Sequence, residues 1–391
     1  MATTLPSGIK KFDPSDTVNR AAFNGNWETI DGLIGDMSTV PTTAKDAAGA
    51  IGELDGELVA HKADFAILQN ARNGINSNAI INGNFDVWQR GTNFTYTSVN
   101  RYTADRWLLA LGSGLTAVVS RQDFPLGEIE VPNNPEHFIR LVFSGTTAGT
   151  SWFSQRLENV ASFSGKKITL SFFIKADQPI NNLSSRAWLN FGSGGSTSIG
   201  VPGNYNVTNQ WTKVTITYDI PNISSKTVGP NAHLEIRPIN ADGSTSITGR
   251  TIDIAQVQLS VGDVDLPYQP RSYGEELTLC QRYCCVITDD ANTNVSYGTG
   301  FASTTTRARI LVKFPVTLRT TPTLVATASD FQVYDGVTAT SLSAIAVGNN
   351  EKSKDTVMLL CDVASGLTQF RPYLLWANGA AGKKLLFDAE L

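Results

Sequence analysis

IINGNFDVWQRGTNFTYTSVNRYTADRW, residues 80–107, decides how this chain is read. Its Asn-Gly pair is turn chemistry, its aromatics are large enough to anchor a core, and it holds neither cysteine nor histidine. The hydrophobic period changes across it. Upstream, Ala44, Ala47, Ile51, Leu54, Leu58, His61, Phe65, Leu68, Arg72 and Ile75 alternate spacings of 3 and 4. So narrow a stripe belongs to a coiled coil, where a helix lying on a globular core would show a broad one. A helix over residues 44–75 would be about 48 Å long. Its thin apolar face needs a second copy to bury it, which predicts an oligomer with Ile51, Leu54, Leu58, His61, Phe65 and Leu68 in the seam. Spacing does not count the strands of that coiled coil, and a hairpin of helices folded back on the following domain is the alternative.

Downstream the period is two. KITLSFFIKA places Ile168, Leu170, Phe172 and Ile174 on one face, and WTKVTITYDI does the same with Val214, Ile216, Tyr218 and Ile220. In TIDIAQVQLSVG the phase slips between Ile254 and Val257, which predicts a bulge near Ala255. FIRLVF and AHLEIRPI add strands, and Gly192-Ser193-Gly194-Gly195 and Asp242-Gly243 mark turns. So many half-buried strands predict a two-sheet antiparallel jelly roll. GEELTLCQRYCC, after Pro267 and Pro270, reads as a short amphipathic break. RARILVKF, TPTLVATA, TVMLLCDV, FRPYLLW and KKLLFDAEL then form a smaller β-domain, with Ala308, Ile310, Val312 and Phe314 inward and a strand at its C-terminal end. Near the N-terminus, Phe23, Trp27, Ile30, Ile34 and Met37 form a second short seam that Pro41 ends.

Thirty-one Lys plus Arg against 35 Asp plus Glu leave a net charge of −4 with no basic stripe, which argues against a nucleic-acid partner. No apolar run approaches the roughly 18 residues that span a bilayer. MATTLPSGIKKFDPSD lacks a signal-peptide core, so the expectation is folding in a cytoplasm without membrane insertion. Cys280, Cys284, Cys285 and Cys361 are too few and too clustered for a disulfide framework; Cys280, Cys284 and Cys285 lack zinc-site spacing and read as buried, reduced cysteines on a helix face. His61, His137 and His233 lack metal-ligand spacing, and no cofactor motif is present. Glycoside cleavage needs two carboxylates about 5–10 Å apart, yet none of the acids stands in an apolar setting suited to proton donation. No catalytic residue is assigned.

Sugar binding needs less: aromatic faces for pyranose rings, with polar neighbours for the hydroxyls. Trp188 beside Arg186 and Asn190, and Trp152, are the candidates in the first sandwich. Tyr334, Asp335, Tyr373 and Trp376 are those in the second. For each aromatic the plain alternative is a place in the core, which is where Trp88, Trp107 and Trp211 are expected. Arg307, Arg309 and Lys313 on the outer face of one strand would suit phosphate groups, but a solvated strand face is the simpler reading.

NGNFDVWQRGTNF with YTADRW resembles the opening of the carbohydrate-binding-module-like jelly rolls of tailed-phage tail fibres and related tail proteins. WTKVTITYDI and IDIAQVQLSVGDVDLPYQPRSYGEELTLCQRY resemble that module's last strands and exit. KFPVTLRTTPTL and LFDAEL resemble its C-terminal tip domains, and FDPSDTVNRAAFNGNWETID resembles tail-fibre attachment segments. Cys284-Cys285 departs from the pattern. The resemblance implies a virion tail protein, assembled in the host cytoplasm. It would be a homotrimer joined to other tail or baseplate proteins through residues 1–42, with a coiled-coil stalk over 43–78. A jelly roll over 79–273 and a receptor-binding tip over 274–391 would follow. Such a protein attaches to host cell-wall polysaccharide and is not an enzyme; no receptor residue carries over by position. A spacer without a ligand is the alternative. A polysaccharide depolymerase would want repeats of about 20–30 residues, and none is seen.

Overall fold

The computed structural model describes residues 3–4, 10–11, 20–34, 47–72, 78–241, 247–288, 295–379 and 382–391. The chain divides into two units, Met1–Ile75 and Asn76–Leu391. In the first, β1 (Thr3–Thr4) pairs with β2 (Lys10–Lys11), and two helices follow, α1 (Arg20–Ile34) and α2 (Ala47–Arg72). Residues 44–46 and 73–75 of the expected helix lie outside the described residues. On α2, Ile51, Leu54 and Leu58 are 67%, 45% and 49% exposed within the single chain. His61 is exposed as well. Phe65 and Leu68 belong to the helix, but their side chains lie outside the described residues.

The second unit is built on two six-stranded antiparallel sheets. One runs β12 (Thr212–Asp219), β9 (Lys167–Ala176), β14 (Thr251–Val261), β7 (His137–Ala148), β6 (Ser113–Asp123), β3 (Asn93–Thr97). The other runs β11 (Ile199–Val207), β10 (Ile180–Asn190), β13 (His233–Ala241), β8 (Ser151–Glu158), β5 (Trp107–Ala110), β4 (Asn100–Tyr102). Alternating residues of both, among them Leu170, Phe172, Ile252, Ala187, Leu189 and Ile236, bury one shared core, as expected of a jelly-roll sandwich. Trp107 stacks on Phe153 at 4.8 Å and meets Phe85 at 5.1 Å in its centre. The slip in β14 falls between Ala255 and Gln258, with Gln256 at φ 50. Trp211 is buried with Phe124, Phe138 and Phe173 in a smaller cluster.

A capping box between Ser272 and Glu275 starts α3 (Tyr273–Gln281). Beyond it a three-stranded sheet, β15 (Cys284–Thr288), β24 (Lys384–Asp388), β18 (Thr323–Val325), shares a second core with a seven-stranded one. The latter includes β16 (Ser296–Ala302), β17 (Arg307–Lys313), β19 (Phe331–Tyr334), β21 (Ala344–Lys352), β22 (Thr356–Asp362) and β23 (Pro372–Ala377). All four cysteines are free and buried, but only Cys280 is on a helix. Cys284 and Cys285 open β15, because the helix stops at Gln281 and the period becomes two, and Cys361 lies in β22, formed by the TVMLLCDV segment.

Residues 80–107 hold these parts together. Asn82 is fully buried in a left-handed conformation, φ 57. Its amide donates to the Val87 carbonyl at 2.8 Å and the Asp105 carbonyl at 3.1 Å, and its Oδ1 accepts from Val87 N–H at 3.0 Å. Its backbone carbonyl accepts the Trp107 indole at 2.9 Å, and its N–H donates to Glu276 on α3. Gly83 presses on β14 so closely that a Cβ would stand 2.0 Å from the Val257 carbonyl oxygen. Arg106 pairs with Glu390 and lies over the Tyr283 ring at 3.4 Å. Gln89 donates to Asp105 and, at 2.6 Å, to the Cys284 carbonyl. Trp88 and Trp107 are both core residues.

Two consequences can be measured. Asn82→Ala removes three side-chain hydrogen bonds and leaves buried groups unpaired, so urea denaturation should show a loss of about 3 kcal/mol. Burial pushes the Asp105 carboxyl up to about 6, against the pull of Arg90 and of the Gln89 hydrogen bond. A carboxyl raised on folding favours the folded state below its ordinary value of 3.8, and that contribution is lost as the pH rises through 6. Melting temperatures of Asp105→Asn relative to the unmodified protein should therefore shift in the variant's favour as pH rises from about 4 to 7.

Candidate functional site

Alternation along β8, β10 and β13 turns one set of side chains away from the core. Trp152, Ser154 and Arg156 leave β8, Glu235 and Arg237 leave β13, and Arg186, Trp188 and Asn190 leave β10; none belongs to the core. Strand pairing makes them neighbours: Trp188 lies opposite Glu235, Arg186 opposite Arg237, and Glu235 opposite Arg156. Three of the four sandwich candidates, Trp188, Arg186 and Trp152, thus meet on one face. Asn190 lies at its border, where its Oδ1 accepts from Gly192 N–H at 2.8 Å and shapes the turn.

Glu235 organises this face. It is almost fully buried and accepts the Trp152 indole N–H at 2.9 Å, the Ser154 hydroxyl at 2.7 Å and Arg237 at 2.8 Å. Arg156 stands 3.8 Å away. Burial by itself would raise its carboxyl, but Arg237, Ser154 and Arg156 together hold it below the usual carboxylate range. The Arg237 guanidinium lies 4.2 Å from the Trp152 ring and 4.9 Å from the Trp188 ring, so it links the two indoles. Both indoles remain half-exposed. On the edge strand β11, exposed Gly200 stands beside Trp188, where a Cβ would come within 2.9 Å of the ring and 3.1 Å of the Arg186 stem. The missing side chain makes room for the ring, which lies close against the Gly200 backbone. Glu235, Arg237 and Gly200 were not singled out in the sequence; the signal available was a pair of opposite charges two residues apart in LEIRPI.

The second group separates. Trp376 and Tyr334 stack at 3.9 Å, each covering one face of the other. Asp335 is committed to its own turn, accepting from Val337 and Thr338 N–H at 2.9 and 2.7 Å and pairing with Arg371 at 3.1 Å. Tyr373 is corrected to the core: it sits three residues from Trp376 on β23, hence on the opposite face, and is buried. Arg307 and Arg309 point outward from β17 but are engaged by Asp362 and Glu351.

A separate cleft of about 330 Å³ is lined by Asn84, Asp86, Arg121, His137, Gln256, Tyr268 and other polar side chains. Burial raises the Asp86 carboxyl there. The aromatics of the cleft are Tyr268 and the exposed Tyr273, whereas the larger indole faces of Trp152 and Trp188 gather on the open sheet face. Among the described residues no group of His, Cys, Asp or Glu is placed to hold a metal ion, and no helix is long and apolar enough to cross a membrane.

No protein-family model matches the chain, and no curated protein matches it in sequence. Among solved structures it is similar to a candidate sugar binding protein from Bacteroides thetaiotaomicron (14% identity, 48% of this chain and 100% of that one, TM-score 0.33). It is also similar to the enzymatically active domain of tailspike protein 4 from bacteriophage CBA120 (20% identity, 47% of this chain, TM-score 0.27), of whose length it spans 21%. A third is the family 11 carbohydrate-binding module from Clostridium thermocellum in complex with a mixed-linked tetrasaccharide (14%, 44% and 98%, TM-score 0.27). At these scores the likeness adds no weight to what strand order and core already establish.

Removing the organiser tests the geometry. Glu235→Ala strands Arg237, the Trp152 N–H and the Ser154 hydroxyl, and chemical denaturation should show a loss of about 3–5 kcal/mol. Glu235→Gln, which keeps acceptors for Trp152 and Ser154, should lose less.

Proposed function

We propose that this protein is a glycan-binding receptor-binding fibre of a tailed phage or phage-tail-like particle. In this reading it is a homotrimer, anchored to tail or baseplate proteins through its N-terminal segment. It attaches the virion to bacterial cell-surface polysaccharide and does not cleave it. The observation that carries the glycan reading is the pair of half-open indoles, Trp152 and Trp188, held on one sheet face by Arg237 and Glu235. Indole faces stack on the apolar faces of sugar rings, and the neighbouring guanidiniums and amides bond hydroxyls. The exposed Ile51, Leu54 and Leu58 of α2 support self-association through the stalk. The fibre and attachment role rests on the motifs quoted from residues 80–107 and 252–283.

An open face with two indoles binds one chain segment weakly. Joining three copies on a stalk, and several fibres on a particle, makes later contacts intramolecular and raises avidity by about 10²–10⁴ without a new contact. The buried Asp105 and Glu235 are both engaged in hydrogen bonds and ion pairs, which suits them to structure more than to proton transfer.

Light scattering on the full chain should give a trimer; a monomer would sink the stalk reading. In a screen of bacterial surface polysaccharides, Trp188→Ala should weaken binding at least tenfold, about 1.4 kcal/mol, while Trp376→Ala leaves it unchanged. The reverse pattern would move the site to the C-terminal sandwich, and no binding by any form would favour a spacer. Incubation with the bound polysaccharide should release no soluble oligosaccharide.

A further inference from the structure

We infer that the Trp152–Trp188 face takes an acidic saccharide, one whose units carry a carboxylate or a phosphate. The inference rests on the glycan-binding reading of that face and adds the charge of its ligand. Three guanidiniums, Arg156, Arg186 and Arg237, share the face with the Glu235 carboxylate. Glu158, at its border on β8, is taken up by Arg282 and Tyr283, and Arg156 also donates to the Leu391 carbonyl at 2.5 Å. Arg186 and Arg237 lie directly opposite each other on paired strands, an arrangement that destabilises a sheet unless an anion compensates it. Glu235 compensates Arg237 at 2.8 Å and is shared with Arg156 at 3.8 Å. Arg186 makes no hydrogen bond or ion pair with any described residue, and its buried Nε has no partner.

An unneutralised guanidinium therefore stands beside a half-open indole on the strand next to the sheet edge. His233 at the border supplies no counter-charge, because an imidazole is neutral or cationic and never an anion. The complementary ligand has a ring whose apolar face stacks on Trp188. Its anionic group would accept the planar fork of Arg186. A neutral sugar would satisfy the indole and leave the guanidinium without a counter-ion. The β10–β13 pairing holds the two functions on adjacent residues of a rigid sheet, so charge and ring are read together.

The test uses the full chain and two matched polymer pairs in titration calorimetry at low and high salt. Polygalacturonate is compared with its methyl ester, and phosphomannan with its dephosphorylated form. At least one acidic member should bind about tenfold or more tighter than its neutral partner, with the preference shrinking as salt rises. Which pair shows it identifies carboxylate or phosphate as the group read. Arg186→Gln should abolish the preference while keeping the melting temperature, whereas Trp188→Ala should weaken both members of the pair by a similar factor and leave the preference between them. Equal binding within each pair, or a preference that survives in Arg186→Gln, overturns the acidic-ligand inference and leaves glycan binding standing. Failure of all four polymers to bind overturns the inference, and a Trp188→Ala variant that binds any glycan undiminished overturns the underlying reading.

Discussion

The larger unit depends on one buried asparagine. Asn82 occupies a left-handed turn and answers, from a single residue, the polar groups of Val87, Asp105, Trp107 and Glu276. Few residue types could do this. The conformation favours Asn or Gly, and only an amide side chain offers two N–H donors and a carbonyl acceptor together. Gly83 completes the fit, because any side chain there would collide with the β14 backbone. Through this turn the entry to the sandwich, its last strand and the following helix become one object. The Arg106–Glu390 pair and Gln89 extend the connection into the second core.

The open sheet face is organised on the same principle with a different outcome. Glu235 is as saturated as Asn82, but the groups it holds are two tryptophan-linked donors at a surface. A buried carboxylate with four partners fixes the rotamers around it, so the indoles do not have to be ordered by a ligand. Such preorganisation lowers the cost of binding more than it adds contacts. The face is also incompletely neutralised at Arg186, where the sheet leaves charge for something outside the chain to answer.

Much of this was legible in the sequence, and the reasons differ by element. Heptad spacing indicated α2, and alternation indicated the strands, because both patterns are local and follow from backbone geometry. The slip in TIDIAQVQLSVG located the β14 bulge for the same reason. Trp88, Trp107 and Trp211 were placed in cores, and Trp152, Arg186 and Trp188 were brought forward as candidates. Tyr373, named among the aromatics of the second sandwich, is a core residue: it lies three residues from Trp376 on β23 and so faces the other way. Cys284 and Cys285 were assigned to a helix that ends at Gln281.

By itself the sequence determined which segments are helix and strand, which face of each is apolar, and that residues 80–107 are a structural junction. Only the tertiary structure decided that Trp152, Arg186, Trp188 and Glu235 are neighbours, and that Glu235 and Arg237 belong with them. Their strands lie tens of residues apart, and β10 pairs with β13 across an intervening edge strand and a return through the opposite sheet. Periodicity fixes where a side chain points on its own strand. Which strand lies beside it is set by non-local register, which the packing of both sheets around one core selects.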